Sequence, residues 1–166
     1  GKYYVTDRTN APYSEISPNV VNALVATEDE RFYKHSGIDA RGLGRAVFFF
    51  GSEGGASTIT QQLAKNMLGQ GSRNTIARII EKLKEMIVAI KLERNFTKEE
   101  ILALYLNTVE YSDHVYGIRN ASRTFFQKDA SRLDVAESAV LIGMLKATGT
   151  YNPRTNPKQA LDRRNT

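Results

Sequence analysis

The sequence contains no cysteine. Disulfides, thiolate metal sites and a cysteine nucleophile are therefore excluded. The compartment stays open, because exported proteins can also lack cysteine. There are 2 histidines, His35 and His114, far apart along the chain, so a histidine metal site is not expected. No run of about 18 apolar residues occurs, so no segment reads as membrane-spanning. No signal peptide is recognisable at the N-terminus. Strand signals are scarce: Tyr3-Tyr4-Val5 and the stretch from Val109 to Tyr116 are the candidates. No internal repeat, low-complexity tract or interdomain linker is visible.

What is present is ordinary for a folded domain. The chain has 166 residues, 41% hydrophobic and 25% charged, which suits one domain with a real core and argues against disorder. The net charge of +5 favours anionic partners, whether nucleic acid, phosphorylated substrates or anionic lipid, or else reflects a solvated basic surface. No aromatic-basic RNA motif or recognition-helix pattern appears, so nucleic acid is not an expected partner. The chain opens on Gly1-Lys2-Tyr3-Tyr4 and stops inside a basic helical pattern. We expect a domain excised from a longer, membrane-anchored protein.

Helix periodicity dominates, so the expected class is mainly α. Ser17-Pro18 predicts an N-cap and first helical residue. Val21, Leu24, Val25, Glu28 and Phe32 then share one face. The segment from Gly42 to Gly55 holds Phe48-Phe49-Phe50 between glycines and reads either as a mobile apolar tip or as a short buried element. A second helix is expected near Ser57, with Ile59, Leu63 and Met67 as its core stripe and Thr58, Gln61 and Lys65 on another face. A long third helix from about Asn74 to Glu93 is given a core face of Ile76, Ile79, Ile80, Leu83, Ile87 and Ile90. Capping-box patterns at Thr97 to Glu100 and Asp134 to Glu137 predict two further helices, the second running through Leu145. Asn156-Pro157 starts a last one.

Two groups of residues suggest chemistry. Glu28 interrupts an apolar stripe, where a carboxylate is either ion-paired or tuned as a general acid or base. Gly55-Ala56-Ser57-Thr58 at a helix start either presents N–H groups to an anion or is plain capping by Ser57. Lys65 and Arg73 add full charges nearby. The spacing is not that of a Walker A loop. By periodicity Glu85 is an ordinary exposed charge.

Together these residues resemble the peptidoglycan glycosyltransferase domain of class A penicillin-binding proteins and monofunctional transglycosylases, over about Ser17 to Asn165. Glu28-Asp29-x-x-Phe32-x-x-His35-x-Gly37 is similar to the first motif of that family. Gly55-x-Ser57-Thr58-Ile59-x-Gln61-Gln62-Leu63-x-Lys65-Asn66 is similar to the second. Lys82 and Glu85 match the third, with Glu81 where the family has arginine. Ile101-Leu102-x-x-Tyr105-Leu106-Asn107 matches the fourth region. Beyond it, Glu110 and Ser112 stand at usual tyrosine and glycine positions, and Gln127 stands where glycine is usual.

The resemblance implies a lysozyme-like helical domain with a small membrane-facing lobe, its mobile segment about 42–73. It implies polymerisation of the lipid-linked disaccharide-pentapeptide (lipid II) into β-1,4 glycan, with inversion and release of undecaprenyl pyrophosphate. Glu28 would be the general base and Glu85 a donor-side catalytic residue. Asp29, Phe32, His35, Ser57, Thr58, Gln61, Gln62, Lys65, Asn66, Arg73 and Lys82 would bind substrate. No cofactor is required by the sequence, and a divalent metal, Mg or Mn, is compatible with it. Expected partners are lipid II, the growing lipid-linked glycan, the membrane surface and other cell-wall synthesis proteins. The expected location is the outer face of the bacterial cytoplasmic membrane. The rival readings are a lysozyme-like glycan-cleaving enzyme and an inactive lipid-substrate-binding module.

Overall fold

The computed structural model describes residues 10–41, 57–69 and 74–165. The expectations for Tyr3-Tyr4-Val5, for Phe48 to Phe50, for Gly55 and Ala56 and for Arg73 lie outside these residues. The architecture is mainly α and lysozyme-like. The described elements are α1 (Pro18–Glu28), α2 (Ile59–Leu68), α3 (Thr75–Asn95), α4 (Lys98–Thr108), α5 (Ile118–Phe126), α6 (Val135–Leu145) and α7 (Pro157–Arg164), with a hairpin of β1 (Glu110–Ser112) and β2 (Val115–Tyr116). The chain divides into two compact units, one of residues Gly1–Val20 with Val109–Thr166 and one of Val21–Thr108.

In the first unit, Ser17 does more than cap α1. Its hydroxyl donates to the Leu133 carbonyl at 2.8 Å and accepts from the Asn19 N–H at 3.3 Å. The hairpin turns at Asp113 and His114, both in the left-handed region (φ 51° and 60°), which short polar side chains tolerate. Asn152 Nδ2 donates to the Asp113 carboxylate at 2.9 Å and holds that turn. The unusual residues near the hairpin have local partners. Ser112 is buried and donates to the Thr148 carbonyl at 2.9 Å, while Glu110 accepts from the Tyr116 hydroxyl at 3.1 Å. The predicted capping box of α6 is present: Glu137 N–H donates to Asp134 Oδ1 at 2.9 Å and Asp134 N–H to Glu137 Oε2 at 3.0 Å. Helix α7 begins at Pro157, as predicted, although the Asn156 side chain donates to the Gly149 carbonyl instead of capping it. Helix α5, with no strong sequence signal, starts after Gly117 at φ 83°.

The second unit carries the motifs. Its core is built from Val21 and Leu24 of α1, Ile59, Leu63 and Ala64 of α2, Ala89 and Leu92 of α3, and Ile101, Leu102, Tyr105 and Leu106 of α4. Helix α4 opens with the predicted box, Glu100 N–H donating to Thr97 Oγ1 at 3.2 Å and Thr97 N–H to Glu100 Oε2 at 2.7 Å. Helix α1 stops at Glu28, so Phe32 does not continue its stripe. Phe32 is delivered to the core by a 3-10 turn, Phe32–Lys34.

Helix α3 corrects the predicted core face. Ile76, Ile79, Ile80, Leu83 and Ile87 are between 48% and 68% exposed, and the buried residues are Glu85, Ala89 and Leu92. Met67, expected in the α2 stripe, is also exposed. The inward face is small where another segment crosses it. The loop ending at Gly37 runs directly over α3, so that a Cβ on Gly37 would lie 2.9 Å from the Ala89 carbonyl carbon and oxygen. Gly37 is also at φ 90°, where side chains are strained. The small Ala89 face admits that loop, and a bulky isoleucine face would not.

Candidate active site

The first motif folds back on the second. Asp29, the residue after α1, is buried. Its Oδ2 accepts the N–H of Ile59, the first residue of α2, at 3.0 Å. His35 Nε2 lies 3.0 Å from both Asp29 oxygens. A carboxylate only accepts, so Nε2 carries the proton and donates. Nδ1 is buried without a hydrogen-bond partner among the described residues. A negative carboxylate at a helix N-terminus is favoured by both the free N–H groups and the helix dipole.

The start of α2 is thus satisfied from within. Thr58, not Ser57, is the N-cap. Gln61 N–H donates to Thr58 Oγ1 at 3.1 Å, Thr58 N–H donates to Gln61 Oε1 at 3.0 Å, and the Thr58 hydroxyl donates to the Gly37 carbonyl at 2.7 Å. The expectation that this helix start offers its N–H groups to a substrate anion is corrected for Thr58, Ile59 and Gln61, because protein oxygens already take them. Asp29, Phe32, His35, Thr58 and Gln61 all have side chains turned into this framework. Phe32 makes edge contacts with Tyr33 and His35, with ring centroids 5.3 and 6.1 Å away.

A second support was not visible in the sequence. The Lys98 ammonium bonds Glu93 at 2.7 Å, donates to the His35 carbonyl at 2.7 Å and sits 4.2 Å from the Phe32 ring centre. The Thr60 hydroxyl donates to Glu93 Oε1 at 2.6 Å. Nothing in their local pattern distinguished Thr60, Glu93 or Lys98 from ordinary helix polar residues.

Glu28 is half-buried at the end of α1. Its Oε2 accepts from Gln62 Nε2 at 3.0 Å, and Gln62 Oε1 accepts from the Tyr105 hydroxyl at 2.9 Å. Burial, and after it the Glu28 carboxylate, raise the Tyr105 hydroxyl well above the ordinary phenol range, so it stays a donor. On α3 the Lys82 ammonium donates to Ser57 Oγ at 2.7 Å and to Glu85 Oε2 at 2.9 Å. Glu85 is buried, against the expectation of an exposed charge. Its spacing to Ala89 and Leu92 (i, i+4, i+7) is the signal that could have placed it inward. Lys65 and Asn66 are exposed on the last turns of α2. Ser57 and Gln62 stand five residues apart, on the order of 10 Å along this chain geometry. One segment therefore touches both glutamate networks.

The arrangement supplies a carboxylate held as an acceptor and, near the same segment, a second carboxylate carrying an ammonium. Among the described residues no three acidic or histidine side chains cluster as metal ligands. Glu85 Oε2 is taken by the Lys82 ammonium.

A transglycosylase family model matches residues 2–166. The chain is 42% identical over 167 residues to penicillin-binding protein 1F of Bacillus subtilis, covering 98% of this chain and 23% of that protein. It is 44% identical over 164 residues to penicillin-binding protein 1A/1B of the same organism, covering 95% and 17%. Against penicillin-binding protein 1A of Escherichia coli it is 41% identical over 155 residues, covering 91% and 18%. The chain thus spans about a fifth of the length of these relatives. It belongs to the transglycosylase family and is a peptidoglycan glycosyltransferase domain.

Proposed function

We propose that this domain joins lipid-linked disaccharide-pentapeptide units (lipid II) into a β-1,4 glycan. The observation that carries the reading is the Glu28 carboxylate, held by the Gln62 amide at 3.0 Å. A carboxylate oriented by a hydrogen bond can take the proton of an attacking hydroxyl, which is the role of a general base.

In this reading the acceptor's 4-hydroxyl attacks the anomeric carbon of the donor sugar. Its proton passes to Glu28, the new C–O bond forms, and the bond from carbon to the pyrophosphate oxygen breaks with its electron pair leaving on undecaprenyl pyrophosphate. Attack from the face opposite the leaving group inverts an α-linked donor to a β link. The leaving group is anionic, so cations assist its departure. Lys82, paired with Glu85, and the exposed Lys65 supply them, with Arg73 joining them by resemblance. Asn66 and Ser57 contribute polar contacts.

The exposed isoleucine face of α3 supports work at a lipid surface. Ile76, Ile79, Ile80, Leu83 and Ile87 are interleaved with Arg78 and Lys84, all exposed. Such an apolar stripe with basic flanks suits the interface of an anionic bilayer. No described helix is long and apolar enough to cross a membrane. We place the domain at the outer face of the bacterial cytoplasmic membrane, where lipid-linked donor and acceptor would meet it.

The test is polymerisation of the lipid-linked disaccharide-pentapeptide by the chain and by Glu28→Gln, resolved on a glycan gel. A ladder from the first and none from the folded variant is expected. Fragments released from finished glycan would instead favour a cleaving enzyme. Substrate binding without any ladder would favour an inactive module.

A further inference from the structure

We propose that Tyr105 is a positioning residue that, through Gln62, fixes the Glu28 carboxylate so that Oε1 is the atom that takes the acceptor's proton. This rests on the reading of Glu28 as the base.

Gln62 has one amide nitrogen and one amide oxygen, and a flip of the side chain exchanges them. Glu28 faces Nε2 and Tyr105 faces Oε1. If the amide flipped, Oε1 would point at a carboxylate oxygen, two acceptors with no proton between them. The buried phenol would then lose the acceptor for its O–H, at the penalty of an unsatisfied donor. Tyr105 therefore selects one of two amide orientations. It can do so because its ring is itself held in the core: Tyr105 is 2% exposed, and Ile101, Leu102 and Leu106 of the same helix are buried with it.

The consequence falls on Glu28. Its Oε2 is committed to Gln62, and among the described residues Oε1 carries no hydrogen bond. A carboxylate at a helix end can otherwise rotate about its terminal torsion, which is broad and soft. Pinning one oxygen leaves the other aimed, and a base oxygen within hydrogen-bond reach of the hydroxyl is the geometric requirement for general-base catalysis.

The experiment is Tyr105→Phe in this chain, measured by initial rates of lipid-linked disaccharide-pentapeptide polymerisation, beside Glu28→Gln. The expected result is a fall in kcat of about tenfold or more with KM within about twofold. A role in packing alone would lower thermal stability and leave kcat of the folded variant in place. An intact kcat, while Glu28→Gln is inactive, overturns the proposal and leaves the base assignment standing. Activity in Glu28→Gln removes the base assignment, and the proposal with it. The double variant Gln62→Leu with Tyr105→Phe removes both polar partners together, which protects the fold, and serves if the single variant is unstable. Its kcat must also fall with KM within about twofold, and an intact kcat overturns the proposal.

Discussion

The Asp29 carboxylate accepts the Ile59 N–H at 3.0 Å across thirty residues of chain. This bond pins the end of α1 to the start of α2, and it does so beside the two side chains, Glu28 and Gln62, that meet one step further on. The motif's acidic pair divides its work. Asp29 is buried and holds the start of α2, while Glu28 is half-buried and accepts from Gln62.

Asp29→Asn should therefore injure both fold and rate. An amide offers one acceptor where the carboxylate serves two donors, the Ile59 N–H and His35 Nε2–H. Loss of charge-assisted bonds in a buried site should destabilise the domain by about 1–3 kcal/mol. Urea denaturation measures this. A change below about 0.5 kcal/mol, within the usual scatter of a neutral surface substitution, would mean that the staple is dispensable.

This staple also shows where the sequence was legible. Caps were readable because they are local: Thr97 with Glu100 and Asp134 with Glu137 sit at the spacing their bonds require. The pairing of Asp29 with Ile59 has no periodicity, and only the family motifs hinted that the two segments belong together. The α3 face failed for another reason. Periodicity reports which side of a helix is apolar but not whether protein covers it. Ala89 lies inward where the Gly37 loop passes close over it, a demand set about fifty residues away along the chain.

The uncovered face gives the second prediction. Replacing Ile79 and Leu83 together by serine should weaken binding to vesicles containing anionic phospholipid, because each removes exposed apolar area of the kind worth about 1 kcal/mol or more when buried in lipid. Thermal stability should change little, since both residues are about half exposed in the protein. Co-sedimentation reads the first effect and calorimetry the second. Unchanged sedimentation would remove α3 as the lipid contact.

Lys82→Ala should slow transfer by about a hundredfold, the scale on which one charge-stabilising group acts at a developing anion. The same change strips an ammonium from Glu85 Oε2 and from Ser57 Oγ. Glu85→Gln separates two accounts of the pair. If Glu85 mainly holds Lys82 in place, its amide should retain more activity than Lys82→Ala. If Glu85 acts in its own right, the two losses should be comparable. Initial rates at saturating lipid substrate decide it, and a Lys82→Ala rate within about twofold of the parent chain would exclude a role for this cation in departure of the pyrophosphate.

Gln127 offers a test that leaves the chemistry untouched. It follows α5 with φ 53° and ψ 32°, in the left-handed region, where its N–H donates to the Arg123 carbonyl and closes the helix. A side chain there costs roughly 1 kcal/mol relative to glycine. The exposed Gln127 side chain returns only a long contact, 3.4 Å from Nε2 to the Thr124 carbonyl. Glycine also loses more chain entropy on folding, which offsets part of the gain. Gln127→Gly should therefore stabilise the domain by up to about 1 kcal/mol, seen as a higher Tm, with polymerisation rates unchanged. A lower Tm would mean that the Gln127 side chain contributes more than its single long hydrogen bond shows, and that the departure from the family's glycine is itself favourable in this chain.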